Sequence, residues 1–345
     1  MSHYQRSLVL HGEEPSGDAR GMVPLLEIED LEVRFTTPAG DIRAVDGVSY
    51  AVDRGETVAV VGESGCGKSV GALSILGLVP RPPGLVAGGS IRFDGRDLLA
   101  LEEEELRRVR GRDIGMVFQE PMTSLNPLLS IGTQLTETMK AHLGLTPQQA
   151  RTRAVDLLKM VGIPEPERRL AQHPHHFSGG MRQRVMIAIA LSCEPKLIIA
   201  DEPTTALDVT IQAQILQLMK DLTRRIGAAL ILITHNLGAV ARYADRVNVM
   251  YAGRIVEAGT TREIFARPRH PYTLGLLASV PRMDAPPGAR LLPIEGQPPD
   301  LAQLDAGCAY RPRCRWAVSG CATARPGLDP VFEGHLSACF ESASL

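Results

Sequence analysis

A glycine-rich stretch in the first quarter of the chain has the residue types and spacing that hold a phosphate chain. It fits the pattern G-x-x-x-x-G-K-[ST] and reads, in order, Gly62, Glu63, Ser64, Gly65, Cys66, Gly67, Lys68 and Ser69. The glycines let the backbone wrap round an anion with its N–H groups turned inward. Lys68 can then reach the β- and γ-phosphates, and the Ser69 hydroxyl can bind Mg²⁺. The stretch predicts binding of a nucleoside triphosphate with Mg²⁺.

The elements on either side of this stretch are those that a phosphate loop requires. Thr57–Val61 before it is short and apolar, which predicts a buried strand, and Val70–Leu78 after it predicts a helix. The positive end of that helix adds a field of the right sign for an anion. A chance glycine turn is the competing interpretation, and the register of Lys68 and Ser69 between two correct flanks disfavours it.

Two carboxylates later in the chain are placed to complete the chemistry. Asp201 and Glu202 follow the apolar run Leu197–Ala200, which puts them at the carboxyl end of a buried parallel strand, where open α/β sheets bind ligands. Asp201 suits Mg²⁺, directly or through water, and Glu202 suits polarising the attacking water. A surface Asp–Glu pair is the alternative, which the four apolar residues in front and Pro203 behind disfavour.

A third segment is typical of a helix start that approaches phosphate. In Ser178–Gly180 the serine is placed as an N-cap, and the glycines allow a phosphate to come close. The pattern is weak by itself. It gains weight because Gln119, the segment Thr205–Asp208 and His235 also occur, in the order that one ATPase family requires.

Together these motifs resemble the nucleotide-binding subunit of an ABC transporter, over most of residues 25–265. By that resemblance, Gly62–Ser69 is Walker A and binds ATP, and Asp201 and Glu202 are the Walker B acids. Gln119 is the Q-loop residue and a Mg²⁺ ligand with Ser69 and Asp201, Asp208 ends the D-loop, and His235 contacts the γ-phosphate. The signature, which covers ATP on a partner subunit, consists of Ser178, Gly179, Gly180 and Met181. The resemblance implies an ATPase in which Glu202 orients the attacking water and Gln119 relays the nucleotide state to membrane subunits.

Three features narrow the resemblance to the ATPases of di- and oligopeptide importers, a branch that also serves nickel, glutathione and opine importers. They are Phe118–Pro127 around the Q-loop, Met181 in place of the commoner glutamine, and the segment Arg269–Thr273. Asn236 and His176 depart from the pattern, where Asp and Gln or Glu are commoner, and neither is a catalytic position. The branch implies three kinds of partner: a homologous second ATPase, two transmembrane permeases and an extracellular or periplasmic solute-binding protein.

The expected fold is an α/β phosphate-loop NTPase core with an inserted helical subdomain, an antiparallel β flank and a cysteine-rich C-terminal extension. Alternating residues predict antiparallel strands over Leu25–Phe35 and Ile42–Val52, and residues 120–194 have helical patterning without a strand signal. Phe35 lies where the family stacks an aromatic ring on adenine, and a core phenylalanine is the alternative. The chain divides into a flexible N-terminal extension (1–24), the ATPase domain (25–265) and a C-terminal extension (266–345).

Length and composition argue against several classes of protein. At 345 residues, 44% of them hydrophobic, the chain can form one or two packed domains. Its net charge of −2 gives no broad basic field for nucleic acid or an anionic membrane. Apolar runs such as Val185–Cys193 fall far short of the ~20 residues of a spanning helix, and Met1–Pro24 has no signal-peptide core. We expect a peripheral subunit on the cytoplasmic face of the cell membrane.

The cysteines are unevenly distributed, and the last four are Cys308, Cys314, Cys321 and Cys339. Cys66 and Cys193 are interpreted as structural. Disulfides are disfavoured in a cytosolic chain, whereas four thiolates suit zinc or an iron–sulfur cluster. The spacing lacks the C-x-x-C knuckle usual in zinc sites, and the segment resembles that of peptide-importer ATPases with a 4Fe-4S cluster. We expect a 4Fe-4S cluster, with zinc or free thiols as alternatives.

A soluble ABC ATPase of DNA repair or translation is the main alternative function. Repair members interrupt the core with long coiled coils, and translation members carry two tandem cassettes, whereas this sequence has neither feature and no internal repeat. A small-molecule kinase is a third interpretation, which the signature segment and His235 disfavour. The transported solute is not specified by this chain, because the resemblance implies that permease and binding protein select it.

Overall fold

The computed structural model describes residues 23–38, 40–205, 207–280 and 293–345. The predicted N-terminal extension (1–24) therefore lies outside the described residues except for its last two positions. Ala206 of the predicted D-loop segment also lies outside them.

The described residues form two β-sheets. In chain order the strands are β1 (Leu26–Thr37), β2 (Gly40–Val52), β3 (Thr57–Val61), β4 (Gly84–Phe93), β5 (Arg96–Asp97), β6 (Ile114–Val117), β7 (Leu197–Asp201), β8 (Ala229–Thr234), β9 (Arg246–Tyr251), β10 (Arg254–Thr260), β11 (Asp329–Phe332) and β12 (His335–Ser337). One sheet has the order β2-β1-β4-β5, and the other has the order β11-β12-β10-β9-β3-β8-β7-β6.

The smaller sheet is antiparallel and confirms the predicted β flank. Leu26 and Ile28 of β1 are buried by simple alternation. A register irregularity then separates Ile28 from Leu31, and it keeps Leu31 and Val33 on the buried face. Both predicted strands extend further toward their connecting turn than the alternation indicates, because the pairing continues there from Phe35 to Thr37.

The larger sheet is parallel at its centre, where β9, β3, β8, β7 and β6 lie side by side. Strands β3, β7 and β8 are buried along their whole length, which explains why they are continuous apolar runs and do not alternate. The predicted strand Thr57–Val61 is confirmed at both ends. Because β6, β7 and β8 are neighbours and parallel, the residues that follow them meet at one edge of the sheet.

Helices cover this sheet. In chain order they are α1 (Lys68–Ile75), α2 (Glu103–Val109), α3 (Pro121–Ser124), α4 (Ile131–Leu143), α5 (Pro147–Met160), α6 (Pro166–Arg169), α7 (Gly179–Ala190), α8 (Val209–Ile226), α9 (Leu237–Tyr243), α10 (Thr261–Ala266), α11 (Pro271–Ala278) and α12 (Gly320–Thr323). Short 3₁₀ turns lie at 98–100, 174–176, 301–303 and 311–313. Across the described ranges, none of these helices combines the length and apolar character that a membrane crossing needs.

The segment between β6 and β7 is helical throughout its regular structure, from α3 to α7. Ile131, Leu135 and Met139 form a fully buried stripe at four-residue spacing on α4. Capping residues determine where these helices begin. Ser130 caps α4 by accepting from the Thr133 N–H at 3.2 Å, and Thr146 caps α5 in a capping box. This stripe packs into the same core as α5, α7 and α8, so the inserted helices are joined to the sheet.

The C-terminal strands extend the ATPase sheet. Strand β12 pairs with β10, with Glu257 opposite Ser337, and β11 pairs with β12. At this seam Glu257 and His335 are both fully buried, with His335 Nε2 2.7 Å from Glu257 Oε1. Glu257 also accepts from the backbone N–H groups of Arg269 and His270. A buried carboxylate with this many donors is satisfied, which fixes the C-terminal strands against β10.

The segment Arg269–Thr273 starts α11 by a local mechanism. His270 is the N-cap, and its Nδ1 accepts from the Tyr272 N–H at 3.0 Å. Burial lowers the pKa of His270 to about 3, so the ring is neutral and its Nδ1 lone pair is available. Pro271 occupies the first helical position, where its missing N–H costs no hydrogen bond. Tyr272, the next residue, is thereby directed into the core, where it is fully buried.

Candidate functional site: a nucleotide site at the sheet edge

The phosphate loop Gly62–Ser69 joins β3 to α1 and packs so closely that two of its positions admit only glycine. A Cβ atom at Gly67 would lie 2.0 Å from the Ala44 carbonyl oxygen, and one at Gly62 would lie 2.2 Å from the Met250 carbonyl oxygen. Gly67 also has φ 103°, in the left-handed region that favours glycine. The loop backbone is therefore fixed between β2 and β9, as a preformed phosphate cradle requires.

Lys68 lies in the first turn of α1 with its ammonium group directed back into the loop. Its Nζ donates to the carbonyl oxygens of Gly62 at 2.9 Å and Glu63 at 2.8 Å, and the side chain is buried. These carbonyl groups compensate the buried charge. Burial also raises the pKa of the neighbouring Cys66 thiol, which is therefore uncharged and leaves the loop's positive charge intact.

Ser69 and Asp201 meet at the carboxyl edge of the sheet. Ser69 Oγ donates to Asp201 Oδ1 at 3.0 Å, and burial raises the pKa of the Asp201 carboxyl. A hydroxyl and a carboxylate at this distance are the oxygen donors that hold Mg²⁺ in phosphate-loop ATPases, so the pair fits the predicted ion. The third predicted Mg²⁺ ligand, Gln119, points to a neighbouring carboxylate: its Nε2 donates to Glu202 Oε2 at 3.0 Å.

Three polar side chains converge on Glu202. Gln119 Nε2 and Thr205 Oγ1 each donate to Glu202 Oε2 at 3.0 Å, and His235 Nδ1 lies 3.4 Å from Oε1. The Glu202 backbone has φ 44°, a left-handed conformation that costs free energy in a residue with a side chain and is concentrated at active sites. The carboxylate is thus held in one orientation at the sheet edge, which suits a residue that positions water.

Thr205 belongs to the predicted D-loop segment, but the motif pattern does not indicate its contact with Glu202. Beyond its hydroxyl contact, its backbone N–H donates to the Glu202 carbonyl oxygen at 3.2 Å. A short hydroxyl side chain three residues after a strand-terminal acid is the signal that could have indicated this turn. The structure therefore places Asp201, Glu202, Gln119 and His235 together with the phosphate loop, and adds Thr205 to them.

The predicted signature and D-loop form a second group, on the surface. Ser178 caps α7 by accepting from the Met181 N–H at 3.4 Å, and Ser178 and Gly179 are exposed. Asp208 caps α8 by accepting from the Ile211 N–H at 3.0 Å, and Val209 beside it is 80% exposed. Among the described residues no hydrogen bond joins either helix start to Gly62–Ser69. This arrangement leaves the two capped helix starts facing outward.

Phe35 has the contacts of a core residue. Its ring is partly buried against the apolar core of the small sheet, and it lies 3.0 Å from the position that a Cβ at Gly84 would occupy. The alternative interpretation, that Phe35 is a core residue, accounts for these contacts. Stacking on adenine stays a prediction.

The four C-terminal cysteines lie near one another. The Cys308 N–H donates to the Cys321 carbonyl oxygen at 2.9 Å. Burial, together with the neighbouring Cys314, Cys308 and Cys321 thiols, raises the pKa of the Cys339 thiol to about 11. In the part of the chain that the structure describes, however, no three His, Cys, Asp or Glu side chains are arranged to hold a metal ion. The geometry gives no support for the expected 4Fe-4S cluster or for zinc.

Two residues from the C-terminal part of the chain contact the phosphate loop. The sequence motifs do not indicate these contacts. The Tyr272 hydroxyl oxygen accepts from the Glu63 N–H at 2.8 Å. Arg313 forms a bidentate ion pair with the Glu63 carboxylate, at 2.7 and 2.9 Å. The loop is therefore supported from the C-terminal segment as well as from β2 and β9.

Comparison with known protein families agrees with this geometry. The family described as ABC transporter matches residues 45–205, and the family described as oligopeptide/dipeptide transporter, C-terminal region, matches residues 256–321. The first match spans the phosphate loop, the signature segment and both Walker B acids. The second begins in β10 and includes Arg269–Thr273.

Similar proteins from several bacteria are named as peptide transport ATP-binding proteins. The chain is 54% identical to the oligopeptide transport ATP-binding protein OppD of Bacillus subtilis, over 90% of this chain and 87% of that protein. It is 51% identical to the dipeptide transport ATP-binding protein DppD of the same organism, over 92% and 95%. Among solved structures, the dimeric post-hydrolysis state of the ATP-binding cassette MJ0796 bound to ADP and Pi has a TM-score of 0.62 at 28% identity, over 69% of this chain and 99% of that chain.

Substitutions of Glu202 and Lys68 are expected to affect different steps, ATP turnover and ATP binding. Glu202→Gln keeps the shape of the side chain and removes its basicity, so ATP turnover falls by roughly 10²- to 10⁴-fold while ATP affinity is retained. Lys68→Ala leaves the phosphate charge uncompensated, so ATP affinity falls by about 10- to 100-fold. Calorimetric ATP titration and a phosphate-release assay separate the two effects. Wild-type turnover by Glu202→Gln, or unchanged ATP affinity in Lys68→Ala, would contradict the assigned roles.

Proposed function

This chain belongs to the ATP-binding subunits of ABC transporters, and we propose that the transport it powers is the uptake of di- or oligopeptides. As a member of that family it is an ATPase. One observation carries the proposal for the solute: relatives named for oligopeptide or dipeptide transport match at 50–54% identity over at least 90% of the chain. The C-terminal match over residues 256–321 bears the same description.

We assign the following roles to the site residues, which their positions support. ATP is bound by the N–H groups of Gly62–Ser69 and by the Lys68 ammonium group, at the positive end of α1. Ser69, Asp201 and Gln119 would hold Mg²⁺, which would supply charge that stabilises the phosphate oxygens. Glu202 accepts a hydrogen bond from the attacking water and orients it toward the γ-phosphate. His235 is exposed beside Glu202, which supports its proposed contact with that phosphate.

A second ATPase subunit completes the site in this proposal. Ser178 at the signature start and the D-loop residue Asp208 are exposed, and among the described residues neither forms a hydrogen bond with the phosphate loop of this chain. A partner's ATP can therefore be covered by this signature while the partner's signature covers the ATP bound here. The resemblance to peptide importers favours a homologous, non-identical partner.

Membrane subunits are the other partners. Within Phe118–Pro127 and just after it, large apolar side chains are exposed, with Met122 at 63% and Leu128 at 84%. Exposed large apolar side chains within one short segment are typical of a protein-binding surface. They follow Gln119, which contacts Glu202, so a permease bound there would sense the catalytic site. We place the chain on the cytoplasmic face of the membrane, bound to two permease subunits that receive solute from a binding protein.

An iron–sulfur cluster in the C-terminal segment is a further part of the proposal. The donor set is four neighbouring cysteines, and burial raises the pKa of the Cys308, Cys314 and Cys339 thiols. As thiolates they would repel one another, so they are stable only when protonated or bound to metal. Four thiolates are the usual ligands of a 4Fe-4S cluster. Ligation would require the thiols to be deprotonated and to move from the positions described above, with zinc as the alternative occupant.

The solute proposal is tested with the assembled importer in proteoliposomes, containing this chain, its partner ATPase, both permeases and the binding protein. We expect di- or oligopeptides to raise ATP hydrolysis severalfold, because solute delivery favours the closed ATPase dimer. The same complex with Glu202→Gln is the control for background hydrolysis. Stimulation by nickel or another small solute, with none by peptides, would contradict the peptide proposal.

The cluster proposal is tested on anaerobically purified full-length chain. We expect brown protein with iron and sulfide in equal amounts. Cys308→Ser should lower the iron content and increase proteolysis within residues 300–345, because metal ligation contributes to the folding of that segment. Cys193→Ser, at a buried cysteine in the helical region, is the matched control and should change neither. Colourless, zinc-containing protein without iron would overturn the proposal.

A further inference from the structure

The ion pair between Arg313 and Glu63 differs from the surface ion pairs of this chain. The Arg313 side chain is 4% exposed, and its two terminal nitrogens contact the two oxygens of Glu63 at 2.7 and 2.9 Å. Arg311, two residues earlier, pairs with Asp305 at 3.1 Å, but there the side chains are 37% and 74% exposed. A bidentate pair with a buried guanidinium group is strong and directional, whereas an exposed pair contributes little.

Glu63 is held through its backbone as well as through its carboxylate. The Tyr272 hydroxyl oxygen accepts from the Glu63 N–H at 2.8 Å. Tyr251 packs against Tyr272 with ring centroids 4.5 Å apart, and its hydroxyl accepts from Arg313 at 3.3 Å. Arg313 and Tyr272 are thus coupled to each other as well as to the loop residue. Both follow the ATPase core in sequence and belong to the C-terminal segment.

The position of Glu63 matters for nucleotide because of Lys68. The Lys68 Nζ donates to the Glu63 carbonyl oxygen at 2.8 Å, so the conformation of Glu63 fixes one of the two acceptors that orient the ammonium group. A loop residue held on its N–H side and at its carboxylate has little freedom to turn its carbonyl group away. Arg313 is therefore linked to the Lys68 ammonium group through one intervening residue, Glu63.

A second contact from the same segment supports the opposite side of the loop. Arg325 donates to Asp46 at 2.9 Å and to the Asp305 carbonyl oxygen at 2.9 Å. Asp46 lies on β2 two residues after Ala44, whose carbonyl oxygen packs against Gly67. The C-terminal segment thus contacts the start of the phosphate loop directly. It supports the end of the loop indirectly, through β2.

We propose that Arg313 is a positioning residue for nucleotide binding, through which the cysteine-containing C-terminal segment holds the phosphate loop in its ATP-binding conformation. Arg313 ends the 3₁₀ turn 311–313, between Cys308 and Cys314, so the local fold of the cysteine segment decides where the guanidinium group lies. ATP affinity and the order of this segment are then linked, and by thermodynamic reciprocity each stabilises the other. The linkage concerns ATP alone and holds whatever solute is transported.

The test uses full-length chain carrying Glu202→Gln, so that Mg²⁺-ATP binds without turnover. Arg313→Met keeps the bulk of the side chain and removes its charge. We expect a dissociation constant for ATP about 3- to 30-fold higher, the range by which residues without ligand contact alter binding. Arg311→Met, on the same turn, is the matched control and should bind ATP as the parent does. Equal ATP affinity for Arg313→Met and the parent would overturn the proposal.

A second variant keeps the test decisive if Arg313→Met does not fold. Glu63→Gln preserves the shape of the loop residue and breaks the charge pair from the other side, so ATP affinity should fall in the same way. Unchanged ATP affinity in Glu63→Gln would overturn the proposal by itself. Where Arg313→Met does fold, adding it to Glu63→Gln should cause little further loss, since both changes remove the same interaction. Full additivity of the two losses would show that the residues act separately and would overturn the proposal.

The reciprocal effect is a readout that a general loss of stability does not produce. In the parent, saturating Mg²⁺-ATP should slow hydrogen exchange of backbone amides in residues 300–345, although the nucleotide site lies in other segments. In Arg313→Met, at ATP concentrations that saturate the variant, this slowing should disappear, while exchange in the phosphate loop is still slowed. Equal protection of residues 300–345 in variant and parent would contradict the linkage.

Discussion

The close approach of the phosphate loop to two carbonyl groups is the constraint on which the rest of the structure depends. Gly62 lies against Met250 of β9 and Gly67 against Ala44 of β2, with no room for a side chain at either position. These contacts come from different sheets, so the loop takes its shape only when the parallel core and the antiparallel flank are both folded. The cradle is therefore a product of the whole fold, although its eight residues are contiguous.

The catalytic group depends on strand order in the same way. Gln119, Asp201 and His235 are far apart in sequence, but they come just after, or at the end of, β6, β7 and β8, which are adjacent and parallel. Parallel strands bring their carboxyl ends to one edge, and that edge is where the residues meet. Glu202 accepts contacts from its neighbours in a strained backbone conformation, and the surrounding hydrogen bonds hold it there.

Much of this arrangement could be predicted from sequence because it is carried by local patterns. The strand Thr57–Val61 follows from an apolar run, and the run Leu197–Ala200 places Asp201 and Glu202 at the sheet edge. Gln119 and His235 are indicated by the resemblance to ABC ATPases. The helix after the loop begins at Lys68 and ends at Ile75, earlier than its apolar pattern indicates, because the loop glycines already place Lys68 in its first turn.

What could not be predicted depends on distant residues. Tyr272 and Arg313 reach Glu63 across 209 and 250 residues, and neither has a local pattern that names its partner. The pairing of β12 with β10 likewise could not be predicted, because a strand of three residues is too short to have a recognisable pattern. These long-range contacts make the C-terminal segment part of the nucleotide site's support, whereas composition alone marks it only as a cysteine-rich extension.

The most direct test of this account is the ATP affinity of Gly67→Ala, measured by calorimetry beside Gly71→Ala. A Cβ at Gly67 would lie 2.0 Å from the Ala44 carbonyl oxygen, whereas one at Gly71, within α1, meets no atom within 4 Å. We predict that Gly67→Ala weakens ATP binding by about ten-fold or more, since overpacking must displace the loop, and that Gly71→Ala binds ATP normally. Normal ATP affinity in Gly67→Ala would contradict the claim that close packing of this loop creates the nucleotide site.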